Sequence, residues 1–253
     1  MRDKTPIEWT DASWNPTTGC SHVSAGCEHC YAEALSLRFG WSSKPWTAPN
    51  AATNVVLHPD RLGQPLRWTR PRRIFVNSMS DLFHEQIPDT FIVQVFQVMS
   101  DAKQHTFQVL TKRPQRMLDW MTGRHSSSAP LANVWLGVSI EEDRWCTRAN
   151  ILRQVPAAVR FISAEPLLEP LPSLDLSEIH WIIVGGESGP RFRPFDPAWA
   201  AALRDQARAS DTAFFFKQHG GATPKSGGRL LDGRTWDEMP VAMPSRHENA
   251  NDQ

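Results

Sequence analysis

From residue 74 onward, short apolar runs alternate with amphipathic segments, and no other feature of the chain restricts its fold so tightly. The runs are Ile74–Asn77, Phe107–Thr111, Val134–Val138, Arg160–Ala164, Trp181–Gly185 and Ala213–Phe216. Between them the spacing predicts helices over Asp89–Lys103, Pro114–Met121, Asp143–Val155 and Asp196–Ser210. The first of these turns Phe91, Val95, Val98, Met99 and Ala102 inward, and the last opens on an N-cap and first-turn pair, Asp196 and Pro197. Runs that are apolar throughout suit parallel strands covered on both faces and joined by right-handed crossovers. The expected fold is α/β, a partial (β/α) barrel of about six parallel strands. A chain of 253 residues is the usual size for one such domain.

Each run ends in polar residues: Ser78, Ser80 and Asp81; Lys112 and Arg113; Ser139, Glu141 and Glu142; Glu165; Glu187 and Ser188; Lys217 and His219. Strand C-termini share one mouth in this architecture, and active sites are built there. Any one cluster alone reads equally as a helix cap or a surface charge. In register, they predict a shared pocket.

Upstream, the stretch Gly19–Ala32 places Cys20, Cys27 and Cys30, three of the chain's four cysteines, in C-x6-C-x2-C spacing. Three thiolates so spaced can converge on one metal centre. A [4Fe-4S] cluster held by three cysteines keeps one iron free of protein ligands, open to a small molecule. Zinc completed by His22 or His29 is an alternative, and unligated or redox-active thiols are another. Disulfides fit poorly, because Cys146 lies far away in a helical segment, where it reads as a small core residue or, alternatively, a hydrogen-atom donor. Ile7–Pro16 leads into a first strand before the loop, and Glu28–Phe39 reads as a helix after it, with Ala32, Leu35 and Phe39 on one face and Gly40 as its stop. The cysteines therefore belong at the same mouth as the polar clusters. Carboxylates, hydroxyls and a Gly-Gly turn around such a centre are what S-adenosylmethionine would need, its amino and carboxylate groups reaching the open iron.

Residues 41–73 carry repeated prolines without periodicity and read as a long insertion with short helical pieces. Its end holds Arg61, Arg67, Trp68, Arg70, Arg72 and Arg73 with no acid, a pattern that suits a nucleic-acid backbone with base stacking, or a solvated loop. Net charge is zero from 27 basic and 27 acidic side chains, so a nucleic-acid footprint must come from such local clustering. Eleven tryptophans against one tyrosine imply indoles in the core or lining a groove. No apolar run approaches a membrane span, and Met1–Pro6 lacks the apolar core of a signal peptide, so the expected setting is the cytoplasm, where thiols stay reduced. The division expected is an iron–sulfur barrel domain over residues 1–224 and a partly loose, Gly- and charge-rich tail over 225–253.

Several strings together resemble one family. They are Thr5–Asp11, Trp14–Pro16, Gly19-Cys20, Gly26–Ala32, Ser78–His84, Leu110–Pro114, Gly137–Ser139, Ser163–Leu167, Gly185–Gly189 and Phe215–Gln218. Together they resemble the phage-associated three-cysteine family, considered radical S-adenosylmethionine-like and distantly similar to the spore photoproduct lyases that repair thymine dimers in DNA. The resemblance implies Cys20, Cys27 and Cys30 as cluster ligands. It implies Ser78, Ser80 and Asp81 at the methionine amino group, Ser139 and Glu141 near the ribose, and Tyr31, Lys112, Glu165 and Glu187 completing the cofactor pocket. DNA is the implied substrate, met by Arg67, Trp68, Arg70, Arg72, Arg73, Lys217 and His219. A three-Cys-motif partner protein and an electron donor such as flavodoxin or ferredoxin are the further partners. The usual spacing in radical enzymes is C-x3-C-x2-C, whereas the first gap here is six, and His29 stands before the third cysteine with Tyr31 after it. Competing functions are a nucleic-acid-binding module with a structural cluster or zinc, and a metal-dependent nuclease using Asp81, Glu165 and Glu187.

Overall fold

The computed structural model describes residues 5–123 and 129–240. The chain runs through β1 (Ala12–Trp14), β2 (Thr17–Thr18), α1 (Tyr31–Arg38), α2 (Ala51–Asn54), β3 (Val56–Leu57) and β4 (Arg73–Val76). It continues through α3 (Asp89–Asp101), β5 (Thr106–Thr111), α4 (Pro114–Thr122), β6 (Val134–Ser139) and α5 (Thr147–Gln154). The last elements are β7 (Val159–Ala164), β8 (Trp181–Gly185), α6 (Pro197–Ala209) and β9 (Ala213–Gln218). Among the described residues, seven strands form one sheet in the order β1-β4-β5-β6-β7-β8-β9, each pair parallel. The seventh strand is β1, three residues long, within the stretch that leads into the cysteine loop. The expected partial barrel is what forms.

Period-two alternation sorts the strand residues between two cores. Ile74, Val76, Phe107, Val109, Leu136, Val138, Ile162, Ile182, Val184, Phe214 and Phe216 join the helix side, with Phe91, Val95 and Met99 of α3 and Leu203 of α6. Their neighbours Phe75, Trp135, Phe161, Trp181, Ile183 and Phe215 face the concave side, where Trp9 closes the base. Trp9 lies 4.7 Å from Phe75 and 6.1 Å from Trp181 between ring centroids. Gly137 is required on this face, since a Cβ there would sit 2.6 Å from the Phe161 ring. Carrying the same alternation past the aromatic layer puts Asn77, Lys112, Ser139, Ser163, Glu165 and Lys217 on the concave side at the strands' C-terminal ends, where all six line one cavity.

Two local expectations are corrected. Phe39 is 56% exposed, and α1 buries Ala32 and Ser36 instead, because the helix ends at Arg38 and the chain turns away before Phe39 can face the sheet. Part of the stretch from Lys225 to Pro240 is packed on the sheet. Leu231 and Trp236 are buried in the helix-side core, and Asp237 pairs antiparallel with Phe215 along the outer edge of β9. Trp181 Nε1 donates to the Glu238 carbonyl at 2.9 Å, which ties this segment to the concave core as well. The remainder of the expected tail, residues 241–253, and the first four residues lie outside the described residues. Among the described residues no helix is long and apolar enough to cross a membrane.

Candidate functional site

Cys20, Cys27 and Cys30 line the cavity at the mouth, which has a volume of about 270 Å³. Its floor is apolar, from Ile7, Trp9, Phe75 and Leu110, and its polar lining includes Ser139, Ser163, Glu165, Ser188 and Lys217. Ser139 and Ser163 are register partners on adjacent strands, so their side chains sit side by side.

The cysteine loop has little regular structure, only a short 3-10 turn over Ala25–Cys27, and side chains from the strand ends hold it. Glu141, beyond β6, is fully buried and accepts from Ser24 Oγ at 3.0 Å and from Arg148 Nη1 at 3.1 Å, and it is paired with Lys112 Nζ. Burial alone would raise its pKa, but Lys112, Arg148 and the hydrogen bonds hold it below the ordinary carboxylate value. A Cβ at Gly26 would lie 2.5 Å from the Glu141 side chain, so the loop packs flush on this carboxylate. Glu187, beyond β8, accepts from His29 Nδ1 at 3.0 Å and from Arg193 Nη2 at 2.6 Å, and Arg193 reaches Glu28 at 3.2 Å. Against the effect of burial, these hydrogen bonds keep Glu187 below its usual value. Tyr31 donates its hydroxyl to the Ser78 carbonyl at 2.6 Å, and His22 donates to Glu33 at 2.6 Å.

Cys20 is met by Arg113, which follows β5 and is buried. Arg113 Nη1 lies 3.6 Å from Cys20 Sγ and 3.2 Å from Asp81 Oδ2, and Nη2 donates to Ser21 Oγ at 3.0 Å. Burial pushes the Cys20 thiol up to about 12, with Asp81 adding to the rise and Arg113 opposing it. Burial also raises Cys30. A raised thiol pKa favours the protonated form, so a metal bound here would have to displace that proton.

A family model described as a protein of unknown function, DUF5131, matches residues 4–240. The chain belongs to that family. No curated protein matches this DUF5131 chain. Among solved structures it is similar to a cysteine-to-serine variant of spore photoproduct lyase, at 13% identity and TM-score 0.48, covering 87% of this chain and 59% of that one. It is similar also to spore photoproduct lyase complexed with dinucleoside spore photoproduct, at 14% identity and TM-score 0.41, covering 77% and 60%. A cysteine-to-alanine variant gives 12%, 0.44, 80% and 75%. The DUF5131 chain thus spans about three fifths of the length of the first two.

The structure redistributes the residues singled out in the sequence. Cys20, Cys27, Cys30, Tyr31, Ser78, Ser80, Asp81, Lys112, Ser139, Glu165, Glu187 and Lys217 are brought together around the cavity. Glu141 is not among the lining residues; it lies behind the loop and holds it. Asp81 lines the cavity but accepts from Thr111 Oγ1 at 2.7 Å, Phe83 N at 3.0 Å, Lys112 N at 3.0 Å and Arg113, so its carboxylate is committed to the protein. Ser80 is engaged by Thr17 at 2.7 Å and Ser78 by Asn15 at 3.1 Å. Arg67, Trp68, Arg70, Arg72 and Arg73 lead into the N-terminal end of β4, opposite the mouth. Trp68 packs on the helix-side core with Arg72 over its ring at 4.9 Å, and Arg73 pairs with Asp11 at 3.1 Å. His219 donates to the Leu230 carbonyl at 2.8 Å and is absent from the cavity wall. Cys146 is buried in the helix-side core, 3.5 Å from Asp143. Three further side chains matter: Arg113, named only within a polar cluster; His29, named only as an alternative zinc ligand and here the contact of Glu187; and Arg193, which was not singled out. Arg113 follows Lys112 in a polar cluster, but nothing in its spacing pairs it with Cys20, 93 residues away.

The three carboxylates of the nuclease reading are each paired with a cation: Asp81 with Arg113, Glu165 with Lys217 at 2.8 Å, and Glu187 with Arg193. Among the described residues no three His, Cys, Asp or Glu side chains are grouped as ligands of a single metal ion.

Proposed function

We propose that this chain is an iron–sulfur enzyme of the radical S-adenosylmethionine type that acts on nucleic acid, DNA in the first instance. The observation that carries the reading is the placement of three thiols on one loop at the C-terminal mouth of a parallel half-barrel, lining one cavity with serine hydroxyls, Glu165 and Lys217. Cys20, Cys27 and Cys30 would hold a [4Fe-4S] cluster, and their donor chemistry fits it. Once bound, the cluster supplies one electron to the sulfonium of S-adenosylmethionine and hence a hydrogen-abstracting radical. The chain's own contribution is to shape the chamber. The Lys217–Glu165 pair and the Ser139 and Ser163 hydroxyls, which line the same cavity as the thiols, offer both signs of charge and hydroxyl groups to a zwitterionic cofactor. The aromatic floor excludes water from beneath it.

The nucleic-acid half is supported by side chains at the mouth rather than by the arginines before β4. Arg191 and Phe192, just beyond β8, are both exposed and offer charge and a stacking face beside Arg193. Membership of the phage-associated three-cysteine group, the cytoplasmic setting, the three-Cys-motif partner and the flavodoxin or ferredoxin donor are part of the same proposal.

The test is anaerobic reconstitution with iron and sulfide, followed by spectroscopy of the reduced cluster with and without S-adenosylmethionine and an assay for 5′-deoxyadenosine. The expected result is a signal that shifts on adding the cofactor, with deoxyadenosine released. A cluster indifferent to the cofactor, or zinc at full occupancy, would sink the reading.

A further inference from the structure

We infer that Arg113 is a positioning residue that sets the reduction potential of the metal centre by acting on Cys20 alone among the three thiols. This rests on the cluster reading above and goes beyond it, assigning a role to a side chain that acts through one of the thiols.

The guanidinium is fixed in position. Nε donates to both Glu85 oxygens at 2.9 and 3.0 Å, Nη1 to Asp81 at 3.2 Å, and Nη2 to the Ser21 carbonyl at 3.2 Å and hydroxyl at 3.0 Å. His84 braces the same hydroxyl from the other side at 2.9 Å. Of the five N–H groups, the one left pointing at sulfur lies 3.6 Å from Cys20 Sγ. The side chain is 6% exposed, so water screens this contact little. Asp81 sets its carboxylate 3.2 Å from the same Nη1 that meets Cys20, and its negative charge offsets the positive charge Arg113 presents to that sulfur. Arg113 and Asp81 therefore act on one sulfur with opposite sign.

Hydrogen bonds and positive charge at a cluster's sulfurs favour its reduced, more negative state and so raise the potential. Removing Arg113 takes away a donor and leaves Asp81 uncompensated, and both changes make reduction harder. Removing the Asp81 charge does the reverse.

The experiment is redox titration of the reconstituted protein, monitored by the reduced cluster's spectrum, with iron content measured on each sample. Arg113→Met is expected to lower the reduced-to-oxidised ratio at a fixed potential by at least tenfold, which is about 59 mV for a one-electron couple. Arg113→Lys should recover part of that shift, and Asp81→Asn should move it the other way. A residue that merely held the loop together would shift both variants in one direction through cluster loss. If Arg113→Met and Asp81→Asn shift together, or neither shifts, the inference is overturned while the cluster reading stands. Should Arg113→Met take up no iron, Asp81→Asn and Glu85→Gln, the latter at a 63% exposed side chain, decide: both should raise the potential, and no rise in either overturns the inference. A wild-type protein that binds no cluster overturns both.

Discussion

Replacing Glu141 with Gln should cost about 3 kcal/mol of folding stability in the metal-free protein. The carboxylate is fully buried and meets two cations, Lys112 and Arg148, whose side chains are 18% and 4% exposed. Removing one partner of a buried ion pair costs about 3–5 kcal/mol, because the remaining charge is left without compensation. Glutamine keeps the shape and can still accept from Ser24, and Lys112 is close enough to solvent to recover some hydration, so the lower end applies. Arg148 has no such escape. Urea titration of both proteins measures the difference as a shift in midpoint at constant slope. Because the penalty comes from a stranded cation, adding Arg148→Met to Glu141→Gln should cost less than the sum of the single changes by about 1 kcal/mol or more. A loss below about 1 kcal/mol for Glu141→Gln, or strict additivity in the double variant, would refute the electrostatic account and leave Glu141 as a space-filling group beneath Gly26.

Gly137→Ala should destabilise by about 1–3 kcal/mol through overpacking against Phe161, and Phe161→Leu in the same chain should return part of it, both read by urea titration. Trp236→Ala should cost about 3–5 kcal/mol, since this indole from the final described stretch is 6% exposed in the helix-side core; a thermal midpoint equal to wild type would restore the loose tail. Stability should also fall as pH drops through about 6.5. His58, His105 and His180 have pKa values lowered chiefly by burial, so below that pH the unfolded chain binds protons that the folded one resists. Their contribution is complete above the unfolded value and is lost towards the depressed folded values. Unfolding free energy that stays flat between pH 7 and pH 5 would contradict this.

The sheet was legible because parallel strands buried on both faces are apolar at most positions, and each of the six runs became a strand in its expected place. The seventh, β1, was legible only as a lead-in, since three residues carry no period of their own. The cavity was legible for a related reason. Where an apolar run stops at the C-terminal end of a parallel strand, the next concave-facing residue has to face the mouth, which fixes Lys112, Ser139, Glu165 and Lys217 by counting alone. Counting does not say what each polar group is bonded to. The family resemblance placed Glu141 and Asp81 at the cofactor, yet their partners, Arg148 and Arg113, come from a helix face and a separate strand end. Pairings of this kind are set by side-chain reach across the fold, and a linear spacing does not encode reach. The arginines of residues 67–73 show the converse. Their composition suits an anionic partner, but position along the strand decides which end of the sheet a loop joins, and Arg73, opening β4, puts them at the far end from the thiols. Composition identified a basic loop correctly. Only the direction of the strand that follows it could have excluded that loop from the mouth, and that direction was already implied by the parallel reading of the sheet.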